Sequence, residues 1–160
     1  MRTTAKVDYA VRAGVALARV AAAAEVSGTR AEPVKAHVLA SEEGIPPKFL
    51  ESILADLKRG RIVTSQRGAV GGYRLGRPAH TITVADVIRA VEGPLADVRG
   101  ERPEDIDYGP ELDALQRMWI ALRANLRAVL ERTTLADLAD GRLDPEVSRL
   151  ADGPGAWDPH

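Results

Sequence analysis

Three groups of residues in this 160-residue chain have the type and spacing to hold a polyanion. Between Pro46 and Arg59, Lys48, Glu51 and Ser52 fall on one side of a helical repeat, while Phe49, Leu50, Ile53, Leu54 and Leu57 make an apolar stripe on the other. A helix of this kind can rest on a scaffold and show its polar face to base edges in a major groove. Lys48 could reach phosphate or guanine, Glu51 could accept from a cytosine amine, and Ser52 suits base or phosphate. Arg67 opens a glycine-rich reversal, a placement from which an arginine can enter a narrow minor groove. Gly71 and Gly72 would let backbone approach a ligand closely, and Arg74 and Arg77 could meet phosphates. Arg2, Thr4, Lys6 and Tyr9 gather at the start of a first helix, where basic and hydroxyl groups suit phosphate oxygens. Taken singly, the three groups also read as a solvated surface helix, a soluble hairpin and a disordered terminus.

The elements that must position these groups are legible from periodicity. Thr3 or Thr4 can cap a helix from about Ala5 to Ala24, with Val7, Ala10, Gly14, Leu17 and Ala21 on one face. A short helix follows, from about Lys35 to Glu43, with a poor capping residue and Gly44 just past its end. The stretch Pro46 to Arg59 is the second of two short helices joined by a glycine-containing turn, a helix-turn-helix signature. Ile62 to Arg67 and Gly72 to Leu75 read as strands of a hairpin, and a hairpin at this point is a wing. Thr83 caps a helix from Val84 to Glu92 that Gly93-Pro94 stops. Arg99 to Gly109 is a polar, acidic loop. Pro110 opens the longest helix, to about Arg132, in which Leu112, Leu115, Trp119, Leu122, Leu126 and Val129 alternate spacings of three and four. Such a heptad stripe suits pairing with a second helix. Thr133 or Thr134 restarts a short helix through Leu138, and the Gly- and Pro-rich end reads as disordered.

The expected fold is therefore mainly α with a small β-hairpin: a winged helix-turn-helix plus a long dimerisation helix. Its expected divisions are a DNA-binding unit over residues 1–80, a connecting helix and effector-type loop over 81–109, the dimerisation and terminal helices over 110–139, and a flexible tail over 140–160. The net charge of −1 conceals an asymmetry: residues 1–80 hold 13 Lys and Arg against 7 Asp and Glu, whereas residues 81–160 hold 9 against 16. Such a split points one half of the chain at a polyanion. No apolar run reaches bilayer-spanning length and no signal-peptide pattern is present, so a cytoplasmic location is expected. The absence of cysteine excludes disulfides and thiolate metal sites. No nucleophile elbow, phosphate-binding glycine loop, HExxH or paired acid–base signature is found, which argues against an enzyme. A winged-helix module that binds protein rather than specific DNA is the alternative.

Several segments occur in a recognisable order: Tyr9-Ala10-Val11-Arg12, Gly44-Ile45, Phe49-Leu50-Glu51, Arg67-Gly68, Gly71-Gly72-Tyr73-Arg74-Leu75, Ile82-Thr83-Val84-Ala85-Asp86-Val87-Ile88-Arg89-Ala90-Val91-Glu92-Gly93-Pro94 and Thr134-Leu135-Ala136-Asp137-Leu138. Over about residues 1–138 the chain resembles the Rrf2 family of bacterial transcription regulators. The resemblance implies base contacts from Lys48, Glu51 and Ser52, a minor-groove contact from Arg67 and backbone contacts from the first helix. It also implies a homodimer, paired through the long helix, on a palindromic double-stranded operator. Since a dimer over a promoter blocks polymerase by occupancy, repression is the expected default, with activation the alternative.

Many members of that family hold an iron–sulfur cluster on three cysteines in the loop before the dimerisation helix. Here that loop has none, so no cofactor is expected. Asp8 matches a cluster-ligand position of some members and reads as a surface carboxylate. His37 and His80 are isolated, and Glu101, Glu104, Asp105 and Asp107 read as a solvated acidic loop. The wing tip has Ala69-Val70 where the family usually has proline and glycine, and Pro46 replaces a residue that is often serine. The signal must then be a small molecule or a partner protein. Tyr108, Met118 and Trp119 are the candidate pocket, with Trp119 as plain dimer core the simpler reading.

Overall fold

The computed structural model describes residues 3–159. Helix α1 (Ala5–Val26) runs through the centre of the molecule. Thr4 caps it, its hydroxyl accepting from the Val7 amide at 3.2 Å. The buried face of α1 is built from small residues, Ala10, Ala13, Gly14 and Ala18, between Val7 and Leu17. Small residues let other elements approach this helix at close range. Helices α2 (Ala36–Glu43) and α3 (Pro47–Arg59) form the helix-turn-helix, and Gly44 between them is left-handed at φ 61°. The stripe Leu50, Ile53, Leu54 and Leu57 of α3 is fully enclosed against α1.

Strands β1 (Val63–Gln66) and β2 (Gly72–Leu75) pair antiparallel, with Val63 opposite Leu75 and Gln66 opposite Gly72. A bridge between Val34 and Tyr73, with both N–H···O bonds at 2.8 Å, ties the hairpin to the segment before α2. Helix α4 (Val84–Glu92) starts in a capping box of Thr83 and Asp86. The long helix is shorter than expected: Pro110–Leu112 is a 3₁₀ turn and α5 covers Asp113–Leu130.

Helix α6 (Leu135–Ala139) starts in a second capping box, Thr134 with Asp137. The two capped starts lie side by side, Val84 N donating to Thr133 O and Leu135 N to Ile82 O, each at 2.9 Å. Leu135 is thereby inserted, fully buried, against Gly14 of α1, where a Cβ would stand 3.0 Å from a Leu135 methyl.

Two expectations are corrected here. Residues 140–160, expected as a flexible tail, carry helix α7 (Pro145–Ala151). Asp144 accepts from Glu146 N at 2.8 Å, Pro145 sits in the first turn and Val147 is buried. This start signal was masked by the glycine and proline that follow it. Phe49, expected in the buried stripe, is 36% exposed. It meets the Tyr9 ring edge-on, with centroids 5.7 Å apart.

An ion pair orients α3 on α1. Lys6 Nζ lies 2.7 Å from Asp56 Oδ2 and donates to Val91 O at 2.8 Å, while Arg59 reaches the other Asp56 oxygen at 2.9 Å. The Lys6 hydrogen bond chiefly, with help from the nearby Arg59, holds the Asp56 carboxyl below its ordinary value against the opposing effect of burial. A carboxyl depressed in the folded state contributes stability above its unfolded value of about 3.9 and loses it as pH falls through the lower folded value. Asp56→Asn should therefore cost about 1–2 kcal/mol at neutral pH. The deficit should shrink towards zero below the carboxylate range, as read by denaturant unfolding across pH. A deficit independent of pH would remove the charge-pair explanation.

Candidate nucleic-acid interface

Helix α3 presents Lys48, Glu51 and Ser52 to solvent, all exposed. None of the three forms an ion pair or side-chain hydrogen bond among the described residues. Pro46, at the N-cap position, makes no side-chain cap bond. The first-turn amides of α3 thus gain no side-chain acceptor from that residue.

The hairpin stands beside this helix. Arg67 and the tip residues Gly68, Ala69 and Val70 are exposed, Val70 to 70%. Gly71 and Gly72 have an internal reason to be glycine. A Cβ on Gly72 would lie 2.5 Å from Val34 O, and one on Gly71 would lie 2.4 Å from Gln66 O. The glycines therefore allow the hairpin to close on itself and on the Val34 segment.

A cleft of about 440 Å³ opens between the start of α2, the end of α3 and the hairpin, with Lys35, Lys58 and Arg67 in its lining. Lys35 occupies the N-cap of α2 with no side-chain cap bond. The end of a helix that carries unpaired amides and adjoining cations favours anions. Lys35 and Lys58 were not singled out by sequence reasoning, although the missing cap at Lys35 was a usable signal. Arg74 lies elsewhere: it is half-buried and lines a different cleft with Glu25 and Glu32. Arg77 is paired with Asp86 at 2.7 Å and lies behind the hairpin, which corrects the expectation that it is free for phosphate.

The start of α1 is largely engaged internally. Arg2 lies outside the described residues. Thr4 donates to Glu92 besides capping α1, and Lys6 is held by Asp56 and Val91 O. The phosphate contact expected of Lys6 is thus taken by an interior carboxylate. Tyr9 is half-buried between Phe49 and the Arg12 guanidinium, which stands 5.7 Å above its ring. Asp8 is near Arg12 at 3.5 Å.

None of the 18 residues of α5 is buried. Leu115, Trp119, Leu122, Leu126 and Val129 are half-buried, while Leu112 and Met118 are exposed to 48% and 45%. Tyr108 packs under Arg99 at 5.9 Å. Tyr108, Met118 and Trp119 line none of the clefts described here. The acidic loop is anchored rather than free. Gln116 donates to Pro103 O and Ile106 O at 3.0 and 2.7 Å, Arg123 pairs with Glu104 at 2.6 Å, and Pro103 and Ile106 are buried. Among the described residues no helix is long and apolar enough to cross a membrane.

Comparison with known proteins agrees with this geometry. A family model described as Rrf2, iron-dependent transcriptional regulator, matches residues 3–141. A Mycobacterium tuberculosis (strain H37Rv) relative designated as HTH-type transcriptional regulator Rv1287 is 50% identical over 152 residues, 95% of this chain and 89% of that protein. The structure of CymR, the global cysteine regulator of Bacillus subtilis, superposes with a TM-score of 0.71 at 29% identity, over 88% of this chain and 98% of that one. The structure of T. potens IscR superposes at 0.67 with 28% identity, over 88% of each chain.

The iron named in the family description does not fit this chain as a cysteine-ligated cluster. The sequence has no cysteine, and no three His, Asp or Glu side chains converge among the described residues. With an exposed polar helix face, a wing beside it and a family match over residues 3–141, the chain belongs to the Rrf2 family of helix-turn-helix transcriptional regulators.

Proposed function

We propose that this regulator binds a palindromic operator in double-stranded DNA as a homodimer, represses by occupancy, and answers to a signal other than a cysteine-ligated iron–sulfur cluster. The observation that carries the DNA reading is the cleft in which Lys35, Lys58 and Arg67 meet beside the exposed row Lys48, Glu51 and Ser52. Phosphate contacts fix position and base contacts confer sequence preference. In this reading Lys35 and Lys58 hold the backbone, with Thr4 and Tyr9 near it. Arg67 enters the minor groove, and Lys48, Glu51 and Ser52 face base edges. Gly71 and Gly72 act by shaping the wing, and Arg74 contributes at most from its far side.

The homodimer is supported by α5. An 18-residue helix with five heptad-spaced apolar residues and no buried position is incompletely covered within one chain. A cleft of about 370 Å³ lined by Val7, Ile88, Leu95, Leu126 and Leu130 lies open along the same side. A second copy of α5, placed antiparallel or crossed, would cover Leu112, Leu115, Trp119, Leu122, Leu126 and Val129. A small-molecule effector or a regulatory partner protein remains the source of the signal in this reading.

Four outcomes are expected. Retardation of a fragment from upstream of the chain's own gene should weaken steeply as salt rises, and flat salt dependence would favour a protein-binding module instead. Lys58→Ala should lower affinity for all sequences and reduce the salt slope by about 1, whereas Glu51→Ala should relax base preference more than it lowers affinity. Arg67→Ala should weaken A·T-rich sites most, and parental binding by all three variants would refute the contact assignment. Leu115→Asp with Leu122→Asp should halve the mass measured by light scattering, and an unchanged mass would refute pairing through α5.

A further inference from the structure

A second cleft, of about 320 Å³, lies between the end of α4, the loop after it and the side of α5. Four guanidinium groups line it: Arg89 from α4, Arg102 from the loop, and Arg123 and Arg127 from α5. Arg123 is the most enclosed of the ion-paired arginines, its side chain only 19% exposed. Yet it has a single carboxylate contact, Glu104, among the described residues. A guanidinium carries five N–H donors in a planar fork, so most of the binding capacity of Arg123 is left over. Arg89 and Arg127 share one oxygen of Glu131, the Arg127 contact being 3.0 Å. The three helix-borne cations are thus served by two carboxylates, Glu104 and Glu131, apart from the edge contact of Arg89 with Asp86 at 3.7 Å.

The counter-ion Glu104 is the replaceable member. It is 40% exposed and sits on a 3₁₀ turn of three residues, whereas the arginines stand on helices. Arg123 holds its carboxyl below the ordinary value, so it is fully charged at neutral pH. The loop that contributes Ala96 to the lining is also strained, since Ala96 and the nearby Arg99 are non-glycine residues at φ 50° and 57°. Such conformations are costly for L residues and concentrate at ligand sites. Asp97 and Glu101 in the same lining oppose a long polyanion, which leaves a compact one.

We propose that this cleft binds a small, multiply charged anion, a phosphate monoester or a di- or tricarboxylate, which takes Arg123 and Arg127 in place of Glu104. Arg89 then completes the cradle from α4. Exchange of the protein's carboxylate for the ligand's would free Glu104 and leave the turn held to α5 through Gln116, which donates to Pro103 O and Ile106 O. That would alter the face along which α5 meets a second copy. This last consequence rests on the dimeric DNA-binding reading above, while the binding site does not.

The full-length protein should be titrated calorimetrically with citrate and with inorganic phosphate, using sodium chloride of equal ionic strength as the control. Parent protein should bind at least one of the two anions, and Arg123→Gln should weaken that binding about tenfold or more, consistent with the loss of a charged hydrogen-bonded contact. Glu104→Gln should tighten it severalfold, because the internal competitor is gone. That gain cannot come from misfolding. No binding beyond the chloride control, equal binding by Arg123→Gln, or no gain in Glu104→Gln would each overturn the proposal. Retardation of the upstream DNA fragment, measured alongside, separates the two readings. Anion binding without DNA binding would sink the regulator reading and leave the site, and DNA binding without anion binding would do the reverse.

Discussion

The small-residue face of α1 is the constraint on which the other elements depend. Ala10, Ala13, Gly14 and Ala18 are buried there, and each larger residue that packs on them comes from a different part of the chain. Leu50, Ile53, Leu54 and Leu57 arrive from α3, Val87 and Val91 from α4, and Leu135 from α6. Interiors tolerate little change in volume. A bulkier residue at Gly14 would have to displace Leu135, and with it the bridge to Thr83. The angle at which α3 shows its polar face is therefore set by a helix that itself shows few free cations.

Charge is divided between holding the fold and facing outwards. Lys6, Arg12, Arg77, Arg89 and Arg123 are engaged by carboxylates of other elements. Lys35, Lys48, Lys58 and Arg67 form no such pairs among the described residues. The excess of basic residues in the first half thus overstates the charge offered to a ligand, because part of it is neutralised within the molecule. A partly enclosed pair such as Lys6 with Asp56 is oriented by its surroundings and supports geometry more than net attraction.

Local signals were the legible ones. Both threonine caps, the Gly44 turn, the hairpin and the α3 stripe depend on residues within a few positions of each other, and all stand where periodicity and capping chemistry indicate. The engagement of Lys6 by Asp56 and of Arg77 by Asp86 depends on how helices cross, which no local pattern encodes. Phe49 fits the period of the buried stripe but lies at its edge, where Tyr9 rather than the core receives it. The loop from Arg99 to Gly109 reads as solvated because its composition is acidic. It is held by Gln116, Pro103 and Ile106, residues whose roles emerge only when α5 is placed beside them. Helix α7 has a sound start in Asp144-Pro145, but the glycines after it give the segment the composition of a disordered end.

The insertion of Leu135 has a consequence for how the chain is made. Synthesis runs from the N-terminus, and domains generally fold as units while it proceeds. Here the slot over Gly14 stays empty until α6 has left the ribosome, long after the wing and α3 have emerged. A nascent or prematurely terminated chain therefore lacks the plug that closes the core around α1 and α3. The unit that would grip a promoter matures together with the helix that would pair it, so unfinished chains make poor competitors for the same site.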